Sequence, residues 1–94
     1  MVTFVTGTFD ATGQSEIVKV TRTDFTDQIA LSLTHAGTAT VTLERRVDGS
    51  NWRTYASYTA SVEAVIALCG GESWRLNCTA HTDDVAYFLG APRG

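Results

Sequence analysis

The densest run of chemically versatile side chains is Cys78-Thr79-Ala80-His81-Thr82-Asp83-Asp84, which sets a thiol, an imidazole and two carboxylates close together. Cys-x-x-His is a zinc-ligand spacing, but a closed tetrahedral site needs further ligands, and the chain could draw them only from the distant Cys69 or His35. His81 to Asp84 reads more simply as a polar hairpin turn whose aspartates accept hydrogen bonds from nearby backbone amides. Asp24 and Asp27 form a second acidic pair, without the alternating oxygen ligands of a calcium loop, and read as turn residues. A serine, His35 or His81 and an aspartate can be combined on paper into a hydrolytic triad. Triads are defined by geometry, and no nucleophile-elbow motif, glycine-rich phosphate loop or paired-carboxylate spacing accompanies these residues. The chain is therefore expected to carry no catalytic residue, no metal and no cofactor.

The elements that would have to position such residues are strands. Fifteen threonines, with many Val, Tyr and Ala in alternating runs, suit a pleated, half-buried surface, and no segment has a convincing helical period. Turn signals recur at close to eleven- or twelve-residue spacing from Gly13 onward. They separate about eight candidate strands, near 2–6, 15–23, 28–35, 39–47, 52–58, 62–68, 73–80 and 85–90. Ile29, Leu31 and Leu33 lie two apart, as do Val41 and Leu43, then Trp74, Leu76, Cys78 and Ala80, then Val85, Tyr87 and Leu89. Each set lines one face, and together they are the expected core. This pattern predicts an all-β fold: a single small antiparallel β-sandwich of seven to eight strands, immunoglobulin-like or jelly-roll-like, spanning 1–94. Residues 1–10 could be either its first strand or an arm ordered on a neighbour.

The clearest local signal is a hairpin over 39–58 turning at Asp48-Gly49-Ser50-Asn51. A four-residue loop opposes Val47 to Trp52, Arg45 to Thr54, Leu43 to Ala56 and Val41 to Tyr58. That register turns Trp52 and Tyr58 inward with Val41 and Leu43. It turns Tyr55, Arg46 and Arg53 outward with Glu44, making those three the candidate interface residues. Arg45 joins the apolar face and needs a buried or rim partner such as an aspartate, and a bulge near the turn would change the register. A second hairpin centred on Gly70-Gly71 would pair Cys78 with Glu63 and Cys69 with Glu72, keeping the thiols apart, so both are expected to be reduced.

Composition narrows the function classes. Ninety-four residues make one small domain with one modest core. No apolar run is long enough for a membrane span and the first twenty residues carry no signal core, so synthesis and folding in cytoplasm are expected. Seven basic and ten acidic residues, scattered along the sequence, give no footprint for a phosphate backbone, so neither nucleic acid nor membrane is an expected partner. The cations are six Arg and one Lys, and there is one Pro. Interfaces enrich Arg and deplete Lys, and natural sheets blunt exposed edges with Lys and Pro, so this balance fits a component whose edges are covered by other chains, and it fits equally a base-composition bias toward Arg codons.

The run Ala39-Thr40-Val41-Thr42-Leu43-Glu44-Arg45-Arg46-Val47-Asp48-Gly49-Ser50-Asn51-Trp52, then Gly71-Glu72-Ser73-Trp74-Arg75-Leu76-Asn77-Cys78 and Asp84-Val85-Ala86-Tyr87-Phe88-Leu89-Gly90, resembles small all-β structural proteins of tailed bacteriophages. The resemblance covers roughly the C-terminal 55 residues. It implies a virion protein made in the host cytoplasm, a head decoration or cement protein or a neck or tail component. Such a protein works without catalysis by binding copies of itself and other capsid or tail subunits. The alternative from a different class is a glycan- or ligand-binding β-sandwich module, which would show a shallow groove around Tyr55 with Trp52 turned outward.

Overall fold

Strands with one apolar face bury it most simply when two sheets close over each other. The computed structural model, which describes residues 4–19, 28–67 and 72–90, adopts that arrangement. The strands are β1 (Phe4–Phe9), β2 (Gly13–Gln14), β3 (Val18–Lys19), β4 (Gln28–His35), β5 (Ala39–Arg46), β6 (Arg53–Tyr58), β7 (Val62–Ala67), β8 (Ser73–His81) and β9 (Val85–Gly90). One sheet runs β1-β9-β4-β7; the other runs β2-β8-β5-β6, with β3 also on β8.

The pairings nest about the β5–β6 turn: β5 with β6, β4 with β7, β2 and β3 with β8, and β1 with β9. Alternate pairs of this long folded hairpin fall in opposite sheets, and β4–β9 and β5–β8 contacts join them. That winding is a jelly-roll β-sandwich, with β2 and β3 as two halves of one interrupted strand. The sheets meet through Ile29, Leu31 and Leu33 on one side and Val41, Leu43 and Trp74 on the other, none more than 1% exposed. Each such side chain contributes about 1.5–3 kcal/mol by leaving water.

From residue 28 onward the strand bounds follow the sequence pattern closely, including Val62–Ala67, which is a strand and not a helical turn. Four details differ. The first described strand is Phe4–Phe9, which runs past the expected end at residue 6 through Gly7, where a side chain would crowd the Tyr87 ring opposite it; residues 2 and 3 lie outside the described residues. This strand pairs with β9 along its whole length and buries Val5 and Phe9. The expected strand 15–23 is represented by the two short pieces β2 and β3, while residues 20–27, with the turn pair Asp24 and Asp27, lie outside the described residues. The expected β7–β8 hairpin does not form: both sides of β8 are taken by β5 and by β2 with β3, and β7 pairs with β4 in the other sheet. Finally, Ala80 is exposed rather than core, because a bulge between the Val41–Cys78 and Thr40–Ala80 pairs reverses the alternation.

Candidate binding surfaces

The β5–β6 hairpin is closed by an aspartate turn. Asp48 Oδ1 accepts from the amides of Ser50 (2.9 Å) and Asn51 (2.8 Å), and Oδ2 from Asn51 Nδ2 (3.0 Å). These bonds favour the ionised form and hold the carboxyl down to about 2. Gly49 follows at φ 79°, in the left-handed region that glycine enters without a Cβ penalty.

Beyond the turn, the register differs from the simple one by a single residue. Val41–Tyr58 and Leu43–Ala56 pair as expected, but Glu44 then meets Thr54 and Arg45 meets Arg53, leaving Tyr55 as the extra residue of a bulge. A one-residue slip moves every following side chain to the other face. Trp52 is therefore on the outer surface with Glu44 and Arg46, not in the core. Arg53 and Tyr55 leave that surface for the side of Arg45. The three expected interface residues are thus divided: Arg46 on the outer face, Arg53 and Tyr55 on the opposite side of the same hairpin. Tyr58 stays half-buried against the core.

Each side is organised by guanidinium–aromatic stacking. On the outer face the guanidinium carbons of Arg46 and Arg75 lie 4.7 and 4.2 Å from the Trp52 ring centre. Arg75 Nε donates to Glu44 Oε1 at 2.6 Å, Asn77 Nδ2 to Glu44 Oε2 at 3.4 Å, and Arg75 Nη1 to Gln14 Oε1 at 3.3 Å. On the other side Arg45 stands over Tyr55 (5.4 Å) and Trp74 (5.6 Å), whose rings meet edge to face at 5.1 Å. The partner that Arg45 needs is thus a pair of π-faces rather than an aspartate. Tyr55 remains 47% exposed.

A second surface has no counterpart among the expected site residues. The outward face of the four-stranded sheet carries Phe4 stacked on Phe88, with ring centres 5.5 Å apart and planes at 17°. Beside them a shallow depression of about 590 Å³ is lined by Ala30, Ser32, Glu63, Val65 and Phe88, and Val65 is 65% exposed. It continues between β4 and β7 past Thr34 and Ser61. The signal for this face is present in the sequence: if Val85, Tyr87 and Leu89 point in, Phe88 must point out. The edges of the same sheet, β1 and β7, carry one charged residue between them, Glu63, and neither shows a register break in its pairing.

The residues singled out for possible chemistry are kept apart. Cys78 is free and buried, and its desolvation pushes the thiol pKa up. Cys69 lies outside the described residues. His81 Nε2 sits 3.0 Å from Asp84 Oδ1, while Asp83 Oδ2 accepts from the Thr38 amide at 2.8 Å, so the β8–β9 turn braces the β4–β5 turn across from it. The expected backbone bonding by aspartate is found, but to a segment distant in sequence. Both ring nitrogens of His35 are buried without a hydrogen-bond partner among the described residues, and Ser61 Oγ accepts from the His35 backbone amide, not from its ring. No group of three or more metal-ligating side chains occurs among the described residues. No helix long and apolar enough to cross a membrane is found among them either.

These surfaces sit on a two-sheet jelly-roll domain, and comparison with known proteins supports that class. One similar solved structure is the Yersinia pseudotuberculosis-derived mitogen, with a TM-score of 0.52 and 15% sequence identity over 97% of this chain and 86% of that one. At that identity the likeness concerns the fold alone. No family model matches this chain, and no curated protein does.

Proposed function

We propose that this chain is a non-enzymatic adhesion domain, a structural protein of a tailed-bacteriophage virion. It binds copies of itself and neighbouring capsid or tail subunits, as a head decoration or cement protein or a neck or tail component. The observation that carries the adhesive part is the outward face of the four-stranded sheet. There Phe4, Phe88 and Val65 present apolar surface next to two edges without Lys, Arg or Pro among their residues. Exposed apolar surface and unblunted edges are features that partner chains cover. The other sheet differs, since its edge strand β6 carries a bulge and an arginine, both of which discourage further pairing. The virion part is supported by the resemblance of segments 39–52, 71–78 and 84–90, and by the use of jelly rolls in capsid proteins.

Sedimentation of the purified chain over a concentration series tests the adhesive reading. Val65→Lys with Phe88→Ser should weaken an association that persists at high salt, and an unchanged association would exclude this face. Peptides of the chain in purified tailed phage particles would support the virion assignment, and their absence would oppose it.

One observation favours the alternative of a glycan- or ligand-binding module: Trp52 is turned outward beside Glu44, Asn77 and Gln14. Tyr55 lies on the other side of the hairpin, so the two do not form one aromatic line. A ligand using this surface would change Trp52 fluorescence in a glycan screen, and the change would vanish in Trp52→Ala.

A further inference from the structure

Cations scattered through the sequence meet at one end of the five-stranded sheet. Lys19 and Arg46 both pair with Ser73; the next rung joins Arg45 to Trp74 and to Arg53; the next joins Glu44 to Arg75. Every described Lys and Arg thus falls within three successive rungs. Four described carboxylates lie at or beside that end, one fewer than the five described cations. Glu44 is paired with Arg75, Glu72 is buried, Asp48 is bonded to the amides of its own turn and keeps its charge, and Glu16 stands in the link between the Gln14–Asn77 and Val18–Trp74 pairs. Arg45 and Arg53 are directly opposed, an unfavourable placement for like charges, and no carboxylate bonds to either of them among the described residues. Stacking on Trp52, Tyr55 and Trp74 holds Arg46, Arg75 and Arg45 in place, so little side-chain freedom remains to be lost on binding.

The opposite end is acidic. Ala39 pairs with His81 there, the following turn carries Asp83 and Asp84, and Asp10 follows directly on the Phe9–Val85 pair. Along β5 from Ala39 to Arg46 the separation is about 23 Å at ~3.3 Å per residue. That exceeds twice the screening length of about 8–10 Å near physiological salt, so the two ends cannot neutralise each other within one molecule.

We propose that the basic end, built from Lys19, Arg45, Arg46 and Arg53, docks on the acidic end, Asp10, Asp83 and Asp84, of a second copy. The contact is head to tail, and its repetition closes a ring or extends a filament. It is a different surface from the apolar sheet face and stands independently of it.

Sedimentation velocity of the full chain at ~20 and ~500 mM salt tests the docking. The wild type should assemble at low salt and dissociate at high salt, with at least about a tenfold change in apparent Kd. Lys19→Glu with Arg53→Glu, which leaves the stacked guanidiniums untouched, should sediment as a monomer at low salt. So should Asp10→Lys with Asp84→Lys. An equimolar mixture of the two variants should assemble again, which also shows that both are folded. A wild type monomeric at low salt, or variants that assemble alone like the wild type, would overturn the proposal. Retention of a monomer on heparin would overturn it too, and would give the basic end to a polyanion. Association that survives high salt and is lost in the Val65 and Phe88 variant belongs to the apolar face: it would overturn head-to-tail docking while upholding the adhesive reading.

Discussion

Replacing Glu44 by Ala removes the only carboxylate bonded to Arg75 among the described residues, and its cost can be estimated from geometry. The side chains of Arg75 and Glu44 are 16% and 14% exposed, and their bond is 2.6 Å long. At an effective dielectric of about 20 and a charge separation of about 4 Å, the attraction is roughly 4 kcal/mol. Partial desolvation of both ions cancels a large share of it. What remains should lie between the ~0–1 kcal/mol of a surface pair and the ~3–5 kcal/mol of breaking a buried one, at about 2 kcal/mol. In a domain of this size that lowers Tm by about 8–16 °C. Arg75→Ala should cost at least as much, since it also removes the guanidinium stacked on Trp52. Urea unfolding of the wild type, both single variants and the double variant isolates the pair, with a coupling of about 1.5–2 kcal/mol expected. A coupling below about 0.5 kcal/mol would mean that the pair is solvated, and would refute the picture of a rigid outer face built around Trp52.

The turns give three further expectations. A Cβ at Gly37 would overlap the Asp83 carboxylate, so Gly37→Ala should break the Asp83–Thr38 bond. It should cost about 1–2 kcal/mol in chemical unfolding and speed hydrogen exchange at the Thr38 amide. Because the Asp48 carboxyl is held at about 2, below the usual 3.8, its contribution to stability is complete above the unfolded value and fades as pH falls towards 2. Acid unfolding of Asp48→Asn should therefore show a shallower pH dependence between 4 and 2, and an NMR titration placing Asp48 at an ordinary carboxyl pKa would contradict the turn geometry. In a Cys69→Ser background, buried Cys78 with its raised pKa should resist thiol reagents at mildly alkaline pH until the protein unfolds. Rapid labelling of the native state would contradict its burial.

The sandwich was legible because one simple period carries it. Where Ile29-Leu31-Leu33 or Val85-Tyr87-Leu89 alternate without interruption, both the strand and its inward face follow from the residues, and the structure agrees. The winding was less legible. Nothing in residues 62–80 distinguishes a local hairpin from a crossover between sheets, because the partners of β7 and β8 are set by strands far away in sequence. The two bulges had no local signature either. At Tyr55 a side chain reaches the edge of Trp74, and at Thr79 the extra residue comes where Cys78 is fully buried and Ala80 is not. At Tyr55 the alternation is overridden by a contact with another strand, so the hairpin's own residues could not reveal it.

The same reasoning explains why charge looked uninformative along the sequence and is informative in space. Lys19, Arg46 and Arg75 belong to three strands that meet only when the long hairpin winds, and the Tyr55 bulge decides on which side Arg53 stands. Had the simple register held, Arg46 and Arg53 would share the outer face. Instead Arg53 opposes Arg45, and Arg46 lies over Trp52. Deleting Tyr55 should therefore regularise β6 and leave that arrangement in place. Ala56 and Thr54 become neighbours, the pairs Leu43–Ala56, Glu44–Thr54 and Arg45–Arg53 persist, and Trp52 stays on the outer face against Arg46 and Arg75. What is lost is the ring that meets Trp74 and over which Arg45 stands. If the deletion variant folds, acrylamide should quench Trp52 as it does in the wild type, and any salt-sensitive association should persist. A Trp52 shielded from the quencher would show that the strand had slipped by a residue instead of closing the bulge, and would refute the assignment of Tyr55 as its extra residue.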